Sequence, residues 1–170
     1  FIYAMTGSLN MLDIANRIPD ASGSVALYVG FGFMVAGILV KAAIFPVHIW
    51  LPAAYSYAPS AVSTLLASIA TKAALYVLAR ILFTVFSGTP DVVTTALSNV
   101  IVPLAVGGVF VGTIMAIYEA DIKKLFAHSS VAQIGYIALG LGLGTPASVS
   151  AAFIHIGNHA LIKGGIFMAI

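Results

Sequence analysis

The sequence predicts an all-α, polytopic transmembrane helix bundle, and three observations carry that prediction. Hydrophobic residues make up 61% of the 170 and charged residues only 7%, against about 25% charged in a soluble domain. The mean hydropathy is +1.11. Polar breaks also divide the chain into apolar runs of roughly 20 residues, the length that crosses a bilayer. Lipid is therefore the solvent such a surface fits. The seven basic and five acidic residues are too few and too scattered for a nucleic-acid partner. There is no cysteine, so disulfides, thiol catalysis and cysteine-bound metals are excluded.

Taken in order, Phe1 to Leu9 reads as the tail of one helix and Asn10 to Gly23, with three charges and a proline, as a loop. Ser24 to Phe45 is the first whole span. The stretch Pro46 to Ala58 is apolar yet carries two prolines, Pro46 and Pro52. Pro46 lacks an N–H and its ring crowds the carbonyl of Ala42, so the spacing predicts a broken helix beside Lys41. Pro59 is expected in the first turn of the next helix, where its missing N–H costs nothing, and that helix runs to about Phe86. Ser87 to Thr95 reads as a loop, and Ala96 to Tyr118 as another span. Glu119 to Lys124 is a polar link, and Leu125 to Thr145 and Ala147 onward supply two more helices. The expectation is five spans plus a partial one. Both ends lie in apolar runs without a signal-peptide pattern, so residues 1–170 read as an internal segment of one transmembrane domain. Loop charges place the Lys123–Lys124 side in the cytoplasm by the positive-inside rule.

The ionisable residues divide by depth. All five acids, Asp13, Asp20, Asp91, Glu119 and Asp121, fall in loops or at helix ends. The groups inside the spans are nearly all basic: Lys41, Lys72, His155, His159 and Lys163. A charge at the bilayer centre costs at least ~2.5–3.5 kcal/mol. Three such lysines without an acid need a neutral state or a carboxylate from elsewhere, and both conditions suit a proton carrier. His155, His159 and Lys163 stand at i, i+4 and i+8, drifting only ~40° per step with ~6 Å of rise, and so line one helix face. Histidine titrates near neutral pH and can pass protons along such a face.

The blander readings are specific too. A single buried histidine, His155 for instance, serves as a helix–helix hydrogen-bond partner, and a single lysine can be tied to carbonyls. His48 and His128, near helix ends, read as interfacial, as do Trp50, Tyr55 and Tyr57. The glutamate of H-E-x-x-H is missing between His155 and His159, so no metal site is expected. Gly140-x-Gly142-x-Gly144 reads as helix packing. No hydrolytic constellation lies in any span, and no cofactor is expected.

Lys41-Ala-Ala-Ile-Phe-Pro46-Val-His48-Ile-Trp50-Leu-Pro52, Ala58-Pro59-Ser-Ala-Val-Ser63, Lys72-x3-Tyr76-x3-Arg80 and Asp121-Ile-Lys123-Lys124-Leu-Phe-Ala-His128-Ser-Ser130-Val-Ala-Gln133-Ile-Gly135-Tyr136 together resemble the proton-translocating antiporter-like membrane subunits. These occur in respiratory complex I, Mrp-type cation/proton antiporters and membrane-bound hydrogenases. The run from Ala53 to Arg80 is most similar to the D-type subunit of Mrp antiporters. The resemblance covers nearly the whole chain. It implies a fold of about fourteen helices with inverted repeats, of which this segment is the end of the sixth through most of the eleventh. It also implies that Lys41 is the lysine of a broken seventh helix, Lys72 the connecting lysine of the eighth, and His155, His159 and Lys163 the polar ladder of the eleventh. The family's glutamate partner would precede Phe1 and its terminal lysine or glutamate would follow Ile170.

The function implied is proton translocation as a subunit of a cation/proton antiporter in a bacterial or archaeal inner membrane. Its partners would be the bilayer, other membrane subunits, protons and a monovalent cation. The alternatives are a proton-pumping membrane-arm subunit of a complex I-like oxidoreductase or hydrogenase, and a non-conducting scaffold. The chain itself is expected to be a transporter subunit and not an enzyme, with any redox chemistry in its partners.

Overall fold

A computed structural model describes all 170 residues, which form helices and turns with no strand. A short helix α1 (Ile2–Thr6) ends at Gly7, whose φ of 67° supplies the left-handed cap. The region read as a loop contains a helix, α2 (Met11–Arg17), and a 3₁₀ turn, Pro19–Ala21. Two local bonds explain it. The Asn10 side chain accepts the Leu12 amide, an N-cap, and Arg17 pairs with Asp13 at 2.9 Å, one turn away. Arg17 also donates to the Thr6 carbonyl at 2.8 Å and ties α2 to the end of α1.

The long helices follow. They are α3 (Val25–Ala42), then the short α4 (Trp50–Tyr57), α5 (Ser60–Val85), α6 (Pro90–Ile117), α7 (Ile122–Gly142) and α8 (Pro146–Ala169). Four of them, α3, α5, α6 and α7, are long and apolar enough to span a membrane. The fifth expected span, α8, is long enough at 24 residues. His155, Asn158, His159 and Lys163 leave it short of the apolarity of the others. The expected loop Ser87–Thr95 is shorter than read, because Pro90 occupies the first turn of α6. Pro59, by contrast, stands just outside α5 as its N-cap.

Packing sets α7 at the centre. It has the largest buried share of the spanning helices, 61%, against 22% for α6. The outward face of α6 bears Phe110, Ile114 and Ile117, all exposed, as a lipid-facing surface should. Glycines let these two helices nearly touch. A Cβ on Gly112 would lie 2.6 Å from the Ala132 amide nitrogen, and one on Gly135 2.8 Å from the Ala105 carbonyl oxygen, the close approach that small residues permit in membranes. Helix α8 packs on α7 and on the first half of α5, α4 packs on α7, and α3 on the middle of α5. In the expected glycine motif, Gly140 and Gly142 meet Ala152 and Val102 as packing residues. Gly144 differs, because its φ of 64° makes it the turn into α8. A capping box formed by Thr145 and Ser148 then starts that helix.

Two features were not legible beforehand. The break at Pro46 begins earlier than its ring demands. Helix α3 stops at Ala42, and Ala43 turns left-handed at φ 56°. The Ile44 amide reaches back to the Leu39 carbonyl and the Ala43 amide to Val40, a Schellman-type ending. The Trp50 indole donates to the same Val40 carbonyl at 3.0 Å, so Trp50 is a clasp across the break as well as a half-exposed aromatic. Helix α5 also widens into π turns at Leu66–Ala70 and Ile81–Val85. Such turns shift the hydrogen-bond register and release carbonyls to side chains.

Candidate functional site

The first π turn of α5 matters because Lys72 follows it. The Lys72 side chain is 5% exposed and folds back to donate to the Ala67 carbonyl. The neighbouring Leu66 carbonyl accepts from the Tyr55 hydroxyl of α4 at 3.3 Å. Tyr55 is fully buried and meets Phe167 of α8 edge-on at 5.1 Å between ring centroids. One widened turn thus fixes Lys72 and helps to lock α4, α5 and α8 together.

The spacing argument for α8 holds in three dimensions. His155 and His159 stack with ring centroids 6.1 Å apart and planes within 12°. Lys163, one turn further, is 3% exposed and His159 2%. Lys163 donates to the Phe126 carbonyl of α7 at 2.9 Å and lies 5.3 Å from the Phe126 ring centroid, a cation–π distance. The Nε2 of His155 is 2.8 Å from Oε1 of Gln133 on α7, so with this amide orientation Nε2 carries the hydrogen. Neither ring nitrogen of His159 has a hydrogen-bond partner within the chain, and neither has the Thr71 hydroxyl beside Lys72. Lys72 stands within electrostatic reach of both His159 and Lys163. Four of the five expected residues, Lys72, His155, His159 and Lys163, therefore gather where α5, α7 and α8 meet.

Lys41 does not join them. It lies in the last turn of α3 with its side chain exposed, because the helix ends at Ala42 instead of running on through Pro46. No carboxylate faces the four gathered groups. Both buried lysines bond backbone carbonyls, the arrangement the bland reading anticipated. Each still has further N–H donors to offer, since an ammonium carries three. Gln133 and the Ala67 and Phe126 carbonyls were missed as site groups. A carbonyl bears no residue-type signal, and Gln133 lies 22 positions from its partner.

His48 and His128 lie near helix ends, as read, His48 in the turn before α4 and His128 in the second turn of α7. Both are buried within the bundle, at 5% and 6% exposed. The capping carboxylate Asp121, outside the spans, is held below the usual carboxylate range by the amide of Lys124 first and then that of Lys123. Its oxygen accepts these amides at 3.2 and 2.8 Å. No cluster of three or more metal-ligating side chains is present.

Such a bundle, with a broken helix and buried basic groups at helix junctions, defines the class: an integral, multi-pass membrane protein of antiporter-like fold. The family described as "NADH:quinone oxidoreductase/Mrp antiporter, TM" matches residues 1–170, and the chain belongs to it. It is 44% identical over 98% of its length to the N-type subunit of an NADH-quinone oxidoreductase of Desulforudis audaxviator. It is 29% identical over 99% to the D-type subunit of a Na(+)/H(+) antiporter of Alkalihalophilus pseudofirmus. Each alignment covers 33% of the relative, so the chain spans about a third of the curated relatives it matches. Among solved structures, a chain of the Mrp complex from Dietzia sp. superposes with a TM-score of 0.87 at 31% identity, over 99% of this chain and 30% of that one. The likeness to the D-type antiporter subunit read in the sequence is thus present, and the likeness to the N-type oxidoreductase subunit stands beside it.

Proposed function

We propose that this chain is the middle of a proton path, an internal segment of a cation/proton antiporter subunit. In it, protons pass among Lys41, Lys72 and the His155–His159–Lys163 row. The observation that supports this is the gathering of three basic side chains from α5 and α8, Lys72, His155 and Lys163, around a His159 imidazole with no partner of its own. A purely structural site would saturate that ring, since buried polar groups are nearly always bonded. The stacked histidines and the two lysines can each take and return a proton. None is locked in an ion pair that would hold its charge permanently. Lys41, exposed on α3, is the member poised to meet a carboxylate from another helix of the assembled protein. Other membrane subunits would complete the assembly, and a monovalent cation would be the exchanged ion.

The higher identity to an N-type oxidoreductase subunit favours a second reading, a proton-pumping subunit of an electron-driven complex. Both readings assign the same work to these side chains and leave redox chemistry to partners. Co-purification with iron–sulfur subunits distinguishes them. The proton-carrier reading itself is tested in the full-length protein, reconstituted with its partners in vesicles under an imposed pH gradient. Lys41→Ala and Lys72→Ala should each slow exchange at least tenfold while insertion and assembly persist. Unaltered exchange in both would return the chain to a scaffold role.

A further inference from the structure

A cleft of about 610 Å³ separates α3 from the first half of α6, and none of its lining residues belongs to the buried row. The two spans run in the same direction, but α3 packs on α5 and α6 on α7. Phe31, Val35 and Leu39 of α3 form one wall, and Val92, Ala96 and Val100 of α6 the other. Small residues keep it open. Gly32 and Ala36 line it, and a Cβ on Gly32 would have no atom within 4 Å. Further along, the helices come together, with the Phe45 ring 3.0 Å from where a Cβ on Gly107 would stand.

Shape and chemistry narrow the occupant. From Tyr28 to Leu39 the helix rises roughly 16 Å, about half of a ~30 Å hydrocarbon core, so the cleft has the depth of one leaflet. Its mean cross-section is then about 40 Å². A helix with its side chains is about 10–12 Å across and covers roughly twice that area or more. Extended hydrocarbon chains, whose carbons pack about 4 Å from their neighbours, fit as a pair. Water is a poor guest, because apolar walls give it few partners and such cavities take apolar molecules instead.

The mouth of the cleft is polar. Tyr28 and Asp91, the latter in the first turn of α6, border it. Asp91 is exposed and has no ion pair. The Tyr28 hydroxyl accepts the Gly23 amide at 2.9 Å, so its own hydrogen is free to donate. Of the cations at this end, Arg17 is taken by Asp13 and the Thr6 carbonyl, and Arg80 lines a separate cavity against α8. Asp20, next to the Pro19 ring that abuts Gly88, adds a second carboxylate without an ion pair. Such a mouth repels an anionic headgroup and attracts an ammonium.

We propose that this cleft binds one phospholipid with a primary ammonium headgroup, of the phosphatidylethanolamine class, from the leaflet away from Lys123 and Lys124. Its acyl chains lie between Phe31 and Val35 on one wall and Val92 and Val100 on the other. Its ammonium donates to the Asp91 carboxylate, and a phosphate oxygen accepts from the Tyr28 hydroxyl. A quaternary ammonium has no N–H to offer Asp91. A glycerol headgroup leaves the phosphate charge uncompensated beside two carboxylates. The lipid supplies the dispersion contacts that α3 and α6 do not make with each other. It belongs in the cleft whether or not the buried row carries protons.

The test uses the full-length protein in its assembled complex in lipid nanodiscs. Traces of phosphatidylethanolamine, phosphatidylcholine or phosphatidylglycerol are added, each with a diazirine halfway along one acyl chain. After irradiation, labelled peptides are mapped by mass spectrometry. The ethanolamine lipid should label the α3 and α6 walls at least fivefold more than either of the others, while all three label the Phe110–Ile114 face of α6 alike. Gly32→Leu places a side chain in the open cleft and should cut wall labelling at least fivefold without changing that outer face. Asp91→Asn keeps the cleft and should bring the three lipids level. Equal wall labelling by all three lipids in the wild type overturns the proposal, as ordinary boundary lipid would give it. Unlabelled walls also overturn it, and would mean that another helix of the longer chain covers the cleft. Should Gly32→Leu fail to assemble, the exposed Asp91→Asn decides alone, and an undiminished preference for ethanolamine lipid in that variant overturns the headgroup site.

Discussion

At the residue scale, the behaviour of this chain depends on which buried basic groups have partners. Lys72 and Lys163 are alike in residue type and depth, yet each is fixed by a single carbonyl on a different helix element. His155 is anchored by Gln133 and His159 by nothing in the chain. Gln133→Leu should therefore free the His155 ring and slow exchange several-fold without unfolding the bundle, as exchange assays beside a detergent melting curve would show. Trp50 gives a cleaner energetic test. Trp50→Phe removes the indole bond to Val40 and keeps most of the ring, so a loss of about 1 kcal/mol is expected, read from the thermal midpoint. The basic residues themselves were legible in the sequence by type and spacing. Their carbonyl and glutamine partners were not, because those contacts arise only when α5 and α7 pack on their neighbours.

At the element scale, apolar run length located every long helix, since bilayer thickness imposes it, though α6 starts six residues before the expected Ala96, at Pro90. The errors fell where local bonding overrides hydropathy. Asn10 and the Asp13–Arg17 pair make a helix of a polar stretch, and Ala43 ends α3 before Pro46 can kink it. The π turn at Leu66–Ala70 escaped detection for the same reason, as its carbonyls answer to Tyr55 of α4 and to Lys72 on the next turn of α5. Two predictions belong here. Gly112→Val puts a branched side chain into the Ala132 backbone and should prevent α6 from seating on α7. Loss of folded protein on size-exclusion chromatography checks it. Asp121 caps α7 with a depressed carboxyl pKa, so its contribution is complete above the ordinary value of 3.8. That contribution fades as pH falls through the lower folded value. Asp121→Ala should lower the thermal midpoint at neutral pH and narrow the gap from wild type as the solution is acidified toward and below that value.

At the scale of the whole molecule, α7 links two polar regions, the Lys72–Lys163 row on one side and the buried His48 and His128, which line one cavity, on the other. The first was visible as a periodic pattern along α8. The second was not, because His48 and His128 are 80 positions apart and each alone looks like a residue at a helix end. Family membership and fold agree over the length of the chain. The central claim is that Lys72 and Lys163 serve one path in series. Exchange rates of Lys72→Ala, Lys163→Ala and their double variant, measured in the same vesicles, test it directly. A series path predicts that each single change slows exchange at least tenfold and that the double variant is no slower than the worse single. Either a wild-type rate in one of the singles, or a double whose loss is the product of the two, would contradict it.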